Sequence, residues 1–171
     1  MIFRWLRLGV AVITGAALVC GAGVALLAWS RGLACTLDLS HFSPFPFLLS
    51  TDRLSGFFLF LICAVSLPAV AYSVPYIEHH YEKTRATWYW VLLPLFLLSM
   101  TMVVTAASAF AFFAGWELMT VFSAALIFLE GDSEKSRRDI FLYLVTMHCG
   151  AALVISAFML FAPLAPGLPT E

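Results

Sequence analysis

The sequence predicts an all-α, polytopic membrane protein: a helix bundle of about five spans with its N-terminus in the cytoplasm. Three observations carry that expectation. The 171-residue chain is 63% hydrophobic and 11% charged, with a mean hydropathy of +0.98, against about 45–50% apolar and about 25% charged residues in a soluble domain. Its apolar residues fall in runs of the roughly 20 residues that a span needs. Of the nine Lys and Arg residues, Arg4, Arg7, Lys83, Arg85, Lys135, Arg137 and Arg138 fall on one side of such a bundle, and only Arg31 and Arg53 on the other. The positive-inside rule puts the richer side in the cytoplasm, and five spans then leave the C-terminus outside. A bacterial inner membrane is the expected location. The net charge of −1 says nothing about partners, and no basic run points to nucleic acid.

The first span is expected from Leu8 to Trp29, within an N-terminal anchor over residues 1–29. Arg4 and Arg7 precede it as in a signal peptide, but the run outlasts the usual core of about 7–15 residues. Val19 is too large for the position before a lipoprotein cysteine at Cys20, so an uncleaved anchor is expected. Ala17, Gly21 and Ala25 recur every fourth residue and offer a small-residue stripe for close helix approach. Residues 30–53 read as an irregular connector at the membrane surface, with His41, Pro44 and Pro46 among Phe42, Phe45, Phe47, Leu48 and Leu49. Asp52-Arg53 reads as an interfacial pair.

A four-helix region follows over residues 54–161. The second span runs from Leu54 to Val74, with Pro68 expected to kink it by removing a backbone hydrogen bond; Tyr72 and Tyr76 suit an aromatic belt near its end. Pro75 to Thr87 reads as a solvated polar loop. His79, His80 and Glu82 do not make a metal site, because adjacent histidines diverge and no fourth ligand is near. The run Trp88–Leu129 suits two spans with a turn near Ala106-Ala107-Ser108, and Pro94 is expected in the first turns of the earlier one. Glu130–Asp139 is a second charged loop, with Asp132 or Ser133 as a helix N-cap. The fifth span is Ile140–Phe161, followed by a proline-rich tail over residues 162–171. Cys20, Cys35, Cys63 and Cys149 are too scattered for a disulfide or metal framework and read as packing residues. No cofactor motif is present.

One residue stands apart. Glu117 lies near the middle of AFAFFAGWELMTVFSAALIFL, while the other Asp and Glu residues lie in loops, at helix ends or in the tail. A carboxylate at that depth costs roughly 2.5–3.5 kcal/mol or more, and normally faces a bundle interior with a function. Ala107, Ala111 and Gly115 form a stripe on the same helix that would shut lipid out. Thr120, one turn on, could donate a hydrogen bond to the acid. Desolvation favours a neutral acid and a nearby cation favours the carboxylate, so a group held between them can trade protons. His148, deep in the fifth span, could relay one. The competing reading is a neutral Glu117 that serves assembly alone.

Three blocks of sequence resemble one superfamily. Phe113-Ala114-Gly115-Trp116-Glu117-Leu118-Met119, with Ser123 and Leu126-Ile127, resembles the helix bearing the Trp-Glu motif in antiporter-like, proton-pumping membrane subunits. Those occur in respiratory complex I, Mrp-type cation/proton antiporters and membrane-bound hydrogenases. Asp52-Arg53-Leu54-Ser55-Gly56-Phe57-Phe58-Leu59, with Tyr72-Ser73 and Tyr76, resembles a second helix of that superfamily. Tyr143-Leu144-Val145-Thr146-Met147-His148-Cys149-Gly150 is similar to a stretch of the hydrogenase-4 and formate hydrogenlyase membrane subunit. The resemblance implies that Glu117, supported by Trp116, pairs with a lysine on a later, broken helix, and that His148 lines the same polar axis. It implies partners as well: the other subunits of a redox complex, and a lysine-bearing remainder or paralogous membrane subunit. Lys83 and Lys135 are both expected in loops, so the chain reads as the N-terminal piece of a split subunit or a truncated paralogue.

Overall fold

The computed structural model describes residues 2–42, 45–131 and 134–161. Among these residues, five helices are long and apolar enough to cross a membrane: α1 (Ile2–Arg31), α2 (Arg53–His80), α3 (Lys83–Thr105), α4 (Ala109–Glu130) and α5 (Glu134–Phe161). The chain is a multi-pass membrane protein. The expected cap at Asp132 or Ser133 and the tail over 162–171 lie outside the described residues.

Small side chains set the closest approach in the bundle, between α1 and α2. A Cβ built on Gly56 of α2 would meet the Trp29 backbone nitrogen at 2.7 Å and the Ala25 carbonyl oxygen at 3.0 Å. The packed face of α1 is Ala11, Thr14, Leu18, Ala25 and Ala28. The expected stripe is thus half right: Ala25 is buried and Gly21 faces Cys63, but Ala17 is exposed. Strict four-residue spacing drifts around a helix of 3.6 residues per turn, so the packed face steps by threes as well as fours. Ala11, Leu18, Cys63, Val70, Trp90 and Leu97 form the core shared by α1, α2 and α3. Beyond α3, the helix α4 packs on α3, and α5 packs on α4 at the edge of the bundle.

Two proline expectations change. α2 continues through both Pro68 and Pro75 to His80, so the expected loop from Pro75 shrinks to Tyr81 and Glu82. Neighbouring packing tolerates the lost backbone bonds inside a membrane helix. α3 starts at Lys83, which places Pro94 in mid-helix rather than in its first turns. Lys83 and Lys135 lie in the first turns of α3 and α5, not in loops. This end of the bundle is tied together: Arg7 Nη2 lies 3.7 Å from Glu78 Oε1, and Arg85 Nη1 donates to the Leu129 carbonyl at 3.3 Å, near the C-terminal end of α4.

The connector is not irregular. Strands β1 (Cys35–Asp38) and β2 (Leu48–Thr51) pair antiparallel, with Leu37 opposite Leu49. The outer edge of β2 is covered by the α3–α4 turn, which falls at residues 106–108 as expected. Ala107 N–H donates to the Leu48 carbonyl at 2.8 Å, and Ser108 Oγ to the Pro46 carbonyl at 2.7 Å. Phe45 stacks on Phe110 with centroids 4.9 Å apart. These bonds satisfy edge groups that would otherwise be costly beside a bilayer. Asp52 is the N-cap of α2 in a reciprocal capping box: its carboxylate accepts from Ser55 N–H at 2.7 Å, and Ser55 Oγ accepts from Asp52 N–H at 2.7 Å. Bonds from the Ser55 side chain and backbone hold the Asp52 carboxyl below its ordinary range.

Candidate functional site

α4 begins at Ala109 because Ser108 caps it, its Oγ accepting from Ala111 N–H at 3.2 Å. Its inward face, Ala111, Gly115, Thr120 and Ala124, is buried. A Cβ on Gly115 would lie 3.0 Å from Val103 Cγ2 and 3.1 Å from Val103 N, so this face is pressed against α3. Ala107 is not part of it, because it precedes the helix and is exposed in the turn. Glu117 follows Gly115 by two positions, which turns it about 200° around the helix. The small-residue stripe therefore seals α4 against α3 and leaves Glu117 on another side, where it meets α5.

There the structure brings two of the expected residues together. His148 Nε2 lies 3.2 Å from Glu117 Oε2, and the two side chains are 53% and 46% exposed. His148 Nδ1 lies 2.8 Å from the Leu144 carbonyl oxygen. A carbonyl only accepts, so Nδ1 carries a hydrogen. The other ring nitrogen then decides the chemistry. If Glu117 is protonated it donates to a bare Nε2; if His148 is an imidazolium, Nε2–H donates to the carboxylate. Either way one proton occupies the 3.2 Å gap, and its transfer across that gap moves charge by one bond length. With no proton in the gap, a carboxylate faces a nitrogen lone pair. The arrangement can hold one proton between α4 and α5.

The supporting residues sit differently from expectation. Thr120 is buried, but its hydroxyl donates to the Trp116 carbonyl at 3.0 Å rather than to Glu117. A buried hydroxyl facing a neighbouring helix finds its own i−4 carbonyl more readily than a side chain aimed elsewhere. Trp116 packs on Phe112, with centroids 5.8 Å apart. Its buried indole Nε1 has no hydrogen-bond partner among the described residues. The α4–α5 seam also holds a contact that sequence reasoning missed: Ser123 Oγ lies 2.6 Å from Tyr143 Oη. Both residues lay inside the recognised motifs, but neither had been given a task. Phe112 and Phe113 meet Phe158 further along the same seam. No group of three or more candidate metal ligands occurs among the described residues.

The described residues thus form a bundle of five membrane helices with an acid–imidazole contact between the last two. No family model matches the chain. It is 32% identical over 113 residues to a putative antiporter subunit of Staphylococcus saprophyticus, covering 64% of this chain and 14% of that protein. It is 30% identical over 82 residues to NADH-ubiquinone oxidoreductase chain 5 of Candida albicans, covering 48% and 14%. It is 28% identical over 128 residues to hydrogenase-4 component B of Escherichia coli, covering 73% and 19%. These similarities support the antiporter-like superfamily of membrane subunits, without favouring a member. The chain spans less than a quarter of the length of the curated relatives it matches, 23% at most among these and a mycobacterial protein.

Proposed function

We propose that the chain is a membrane subunit, or the N-terminal part of one, in a proton-translocating oxidoreductase complex of the membrane-bound hydrogenase type, in a bacterial inner membrane. Glu117 and His148 supply the proton site, and the redox centres lie on other subunits. The observation that carries this reading is the 3.2 Å contact between the His148 imidazole and the Glu117 carboxyl, two half-exposed side chains, in mid-span, where an uncovered charge is costly. That exposure calls for a further polar surface against the α4–α5 seam. A lysine of a further membrane element is the group that the superfamily resemblance implies. The stretch Tyr143–Gly150 favours the hydrogenase branch. The slightly higher identity to the antiporter subunit favours a second reading, a cation/proton antiporter; a subunit that assembles but conducts nothing is the structural alternative.

Isolation of the native complex through this chain tests the proposal. A photo-crosslinking residue placed at Leu118, exposed on α4, is expected to capture a membrane polypeptide bearing an intramembrane lysine, alongside nickel–iron hydrogenase subunits. Copurifying antiporter subunits in place of redox subunits would favour the second reading. A stable complex that translocates protons without any lysine-bearing partner would overturn the paired-charge account.

A further inference from the structure

Beside the short α2–α3 connection, the ends of α2, α3 and α4 leave a pocket of about 320 Å³. Arg85 of α3 lines it, with Glu82 just before α3 and Glu130 at the end of α4. Among the described residues these three side chains form no ion pair with one another. Arg85 makes one hydrogen bond there, from Nη1 to the Leu129 carbonyl, and a guanidinium has five N–H donors. On the α2 side the Tyr76 and His80 rings stack 4.4 Å apart, and the Tyr81 ring lies 6.4 Å from Tyr76. Burial, and then the Glu130 carboxylate, push the Tyr81 phenol up, so it stays a neutral donor. The helix dipoles follow the same pattern: α2 and α4 end at the pocket, which favours a cation, and α3 begins at it, which favours an anion. Charges of both signs thus face one space without meeting.

Further along α2 and α3 lies an apolar groove of about 380 Å³, lined by Val65 and Ala69 of α2 and by Phe96 and Met100 of α3 among others. Val65, Ala69, Tyr76 and His80 fall within about 60° of one another around α2, as do Arg85, Phe96 and Met100 around α3. About 10 Å of helix rise separates Ala69 from Tyr76. Pocket and groove therefore share one side of the α2–α3 pair, charged at the helix ends and apolar toward mid-span. We propose that a zwitterionic phospholipid with a primary amine, of the phosphatidylethanolamine type, binds here. Its phosphate meets Arg85, its ammonium meets Glu130 and Glu82, and one acyl chain lies in the groove. Arg suits a phosphate because its fork of N–H groups matches the oxygens. A primary ammonium has hydrogens to give the carboxylates, which a choline headgroup lacks, and the Tyr76 and Tyr81 rings add an attraction for the cation. A phosphatidylglycerol headgroup would bring a phosphate to the two acids with no ammonium to offset them.

The test incubates the complex containing the full chain, in detergent, with phosphatidylethanolamine bearing a photoreactive group midway along one acyl chain. Mass spectrometry of the peptides locates the label. It is expected in the segments that line the groove, residues 58–70 and 93–100. Unlabelled phosphatidylethanolamine should compete about tenfold better than phosphatidylglycerol of the same chain length, the difference that one charge-assisted contact makes. Arg85→Gln should lower labelling by either lipid's probe by a similar factor. Glu130→Gln should lower it for the phosphatidylethanolamine probe and not for the phosphatidylglycerol one. Ala69→Trp, which fills the groove and keeps the charged mouth, should exclude the chain. Where a variant does not assemble, competition on the wild-type complex carries the test. Equal competition by the two lipids overturns the proposal in favour of a general lipid-facing surface. Labelling that Arg85→Gln and Glu130→Gln both leave unchanged overturns the headgroup site, and label outside both segments overturns the groove. Equal competition by glycerophosphoethanolamine, which has the headgroup and no chains, would show a water-borne ligand and overturn the lipid.

Discussion

Glu117→Gln is expected to leave assembly and redox turnover largely intact while proton translocation falls by about 100-fold, the lower end of what a positioned acid or base contributes. The substitution conserves shape but cannot carry a carboxyl proton. The amide can still donate one hydrogen bond across the 3.2 Å gap to His148 Nε2, so the α4–α5 contact is retained. An uncharged Gln also relieves the cost of a carboxylate in mid-span, which is why stability should hold or rise. Vesicle acidification measured against electron transfer in the same preparation separates the two effects. Loss of the complex without a separate transport defect would mean that Glu117 serves assembly only.

The second large effect is expected at Gly56, far from the proton site. Gly56→Ala puts a methyl 2.7 Å from the Trp29 backbone nitrogen and 3.0 Å from the Ala25 carbonyl oxygen. Backbone cannot rotate away as a side chain can, so α1 and α2 must separate. Overpacking of this kind costs about 1–3 kcal/mol, and Gly56→Leu should cost more. Gly115→Ala is expected to be milder, since its nearest neighbours, Val103 Cγ2 at 3.0 Å and Val103 N at 3.1 Å, are both further off than the 2.7 Å backbone approach at Gly56. Gly23→Ala is the control, with nothing within 4 Å of an added Cβ. Unfolding midpoints in detergent should rank Gly56 below Gly115 and both below Gly23. A Gly56→Ala protein as stable as the Gly23 control would contradict the close α1–α2 approach.

Much of this architecture was legible because bilayer thickness is a strict constraint. Long apolar runs had to become spans, and a run of double length had to turn, which located the turn at residues 106–108. Composition could not locate the helix ends. Pro75 and Pro94 read as boundary residues, yet both lie within helices whose neighbours tolerate the missing N–H groups. The connector concealed a hairpin because its strands are only four residues each, and β2 is secured by a turn some sixty residues away. At the site, Glu117 was legible from the cost of its charge, and His148 from its depth. Their pairing was less so, since it depends on how α5 lies against α4. Ala107 and Thr120 were misassigned by spacing alone. A helix has several faces, and the face sealing α4 to α3 is not the one that carries Glu117. The Leu144 carbonyl fixed the hydrogen on His148 Nδ1, and no sequence pattern encodes that.

The central claim is that Glu117 and His148 hold one proton as a unit, and a double-mutant cycle on proton translocation tests it most directly. Glu117→Gln, His148→Gln and the double variant are compared at equal assembly and equal redox turnover. Groups that act as a unit give strongly non-additive losses. The account predicts that each single substitution removes nearly all of the translocation and that the double variant is no worse than either. Losses that multiply, with each single variant retaining substantial translocation and the double variant falling by the product, would show two independent groups and contradict the shared-proton site.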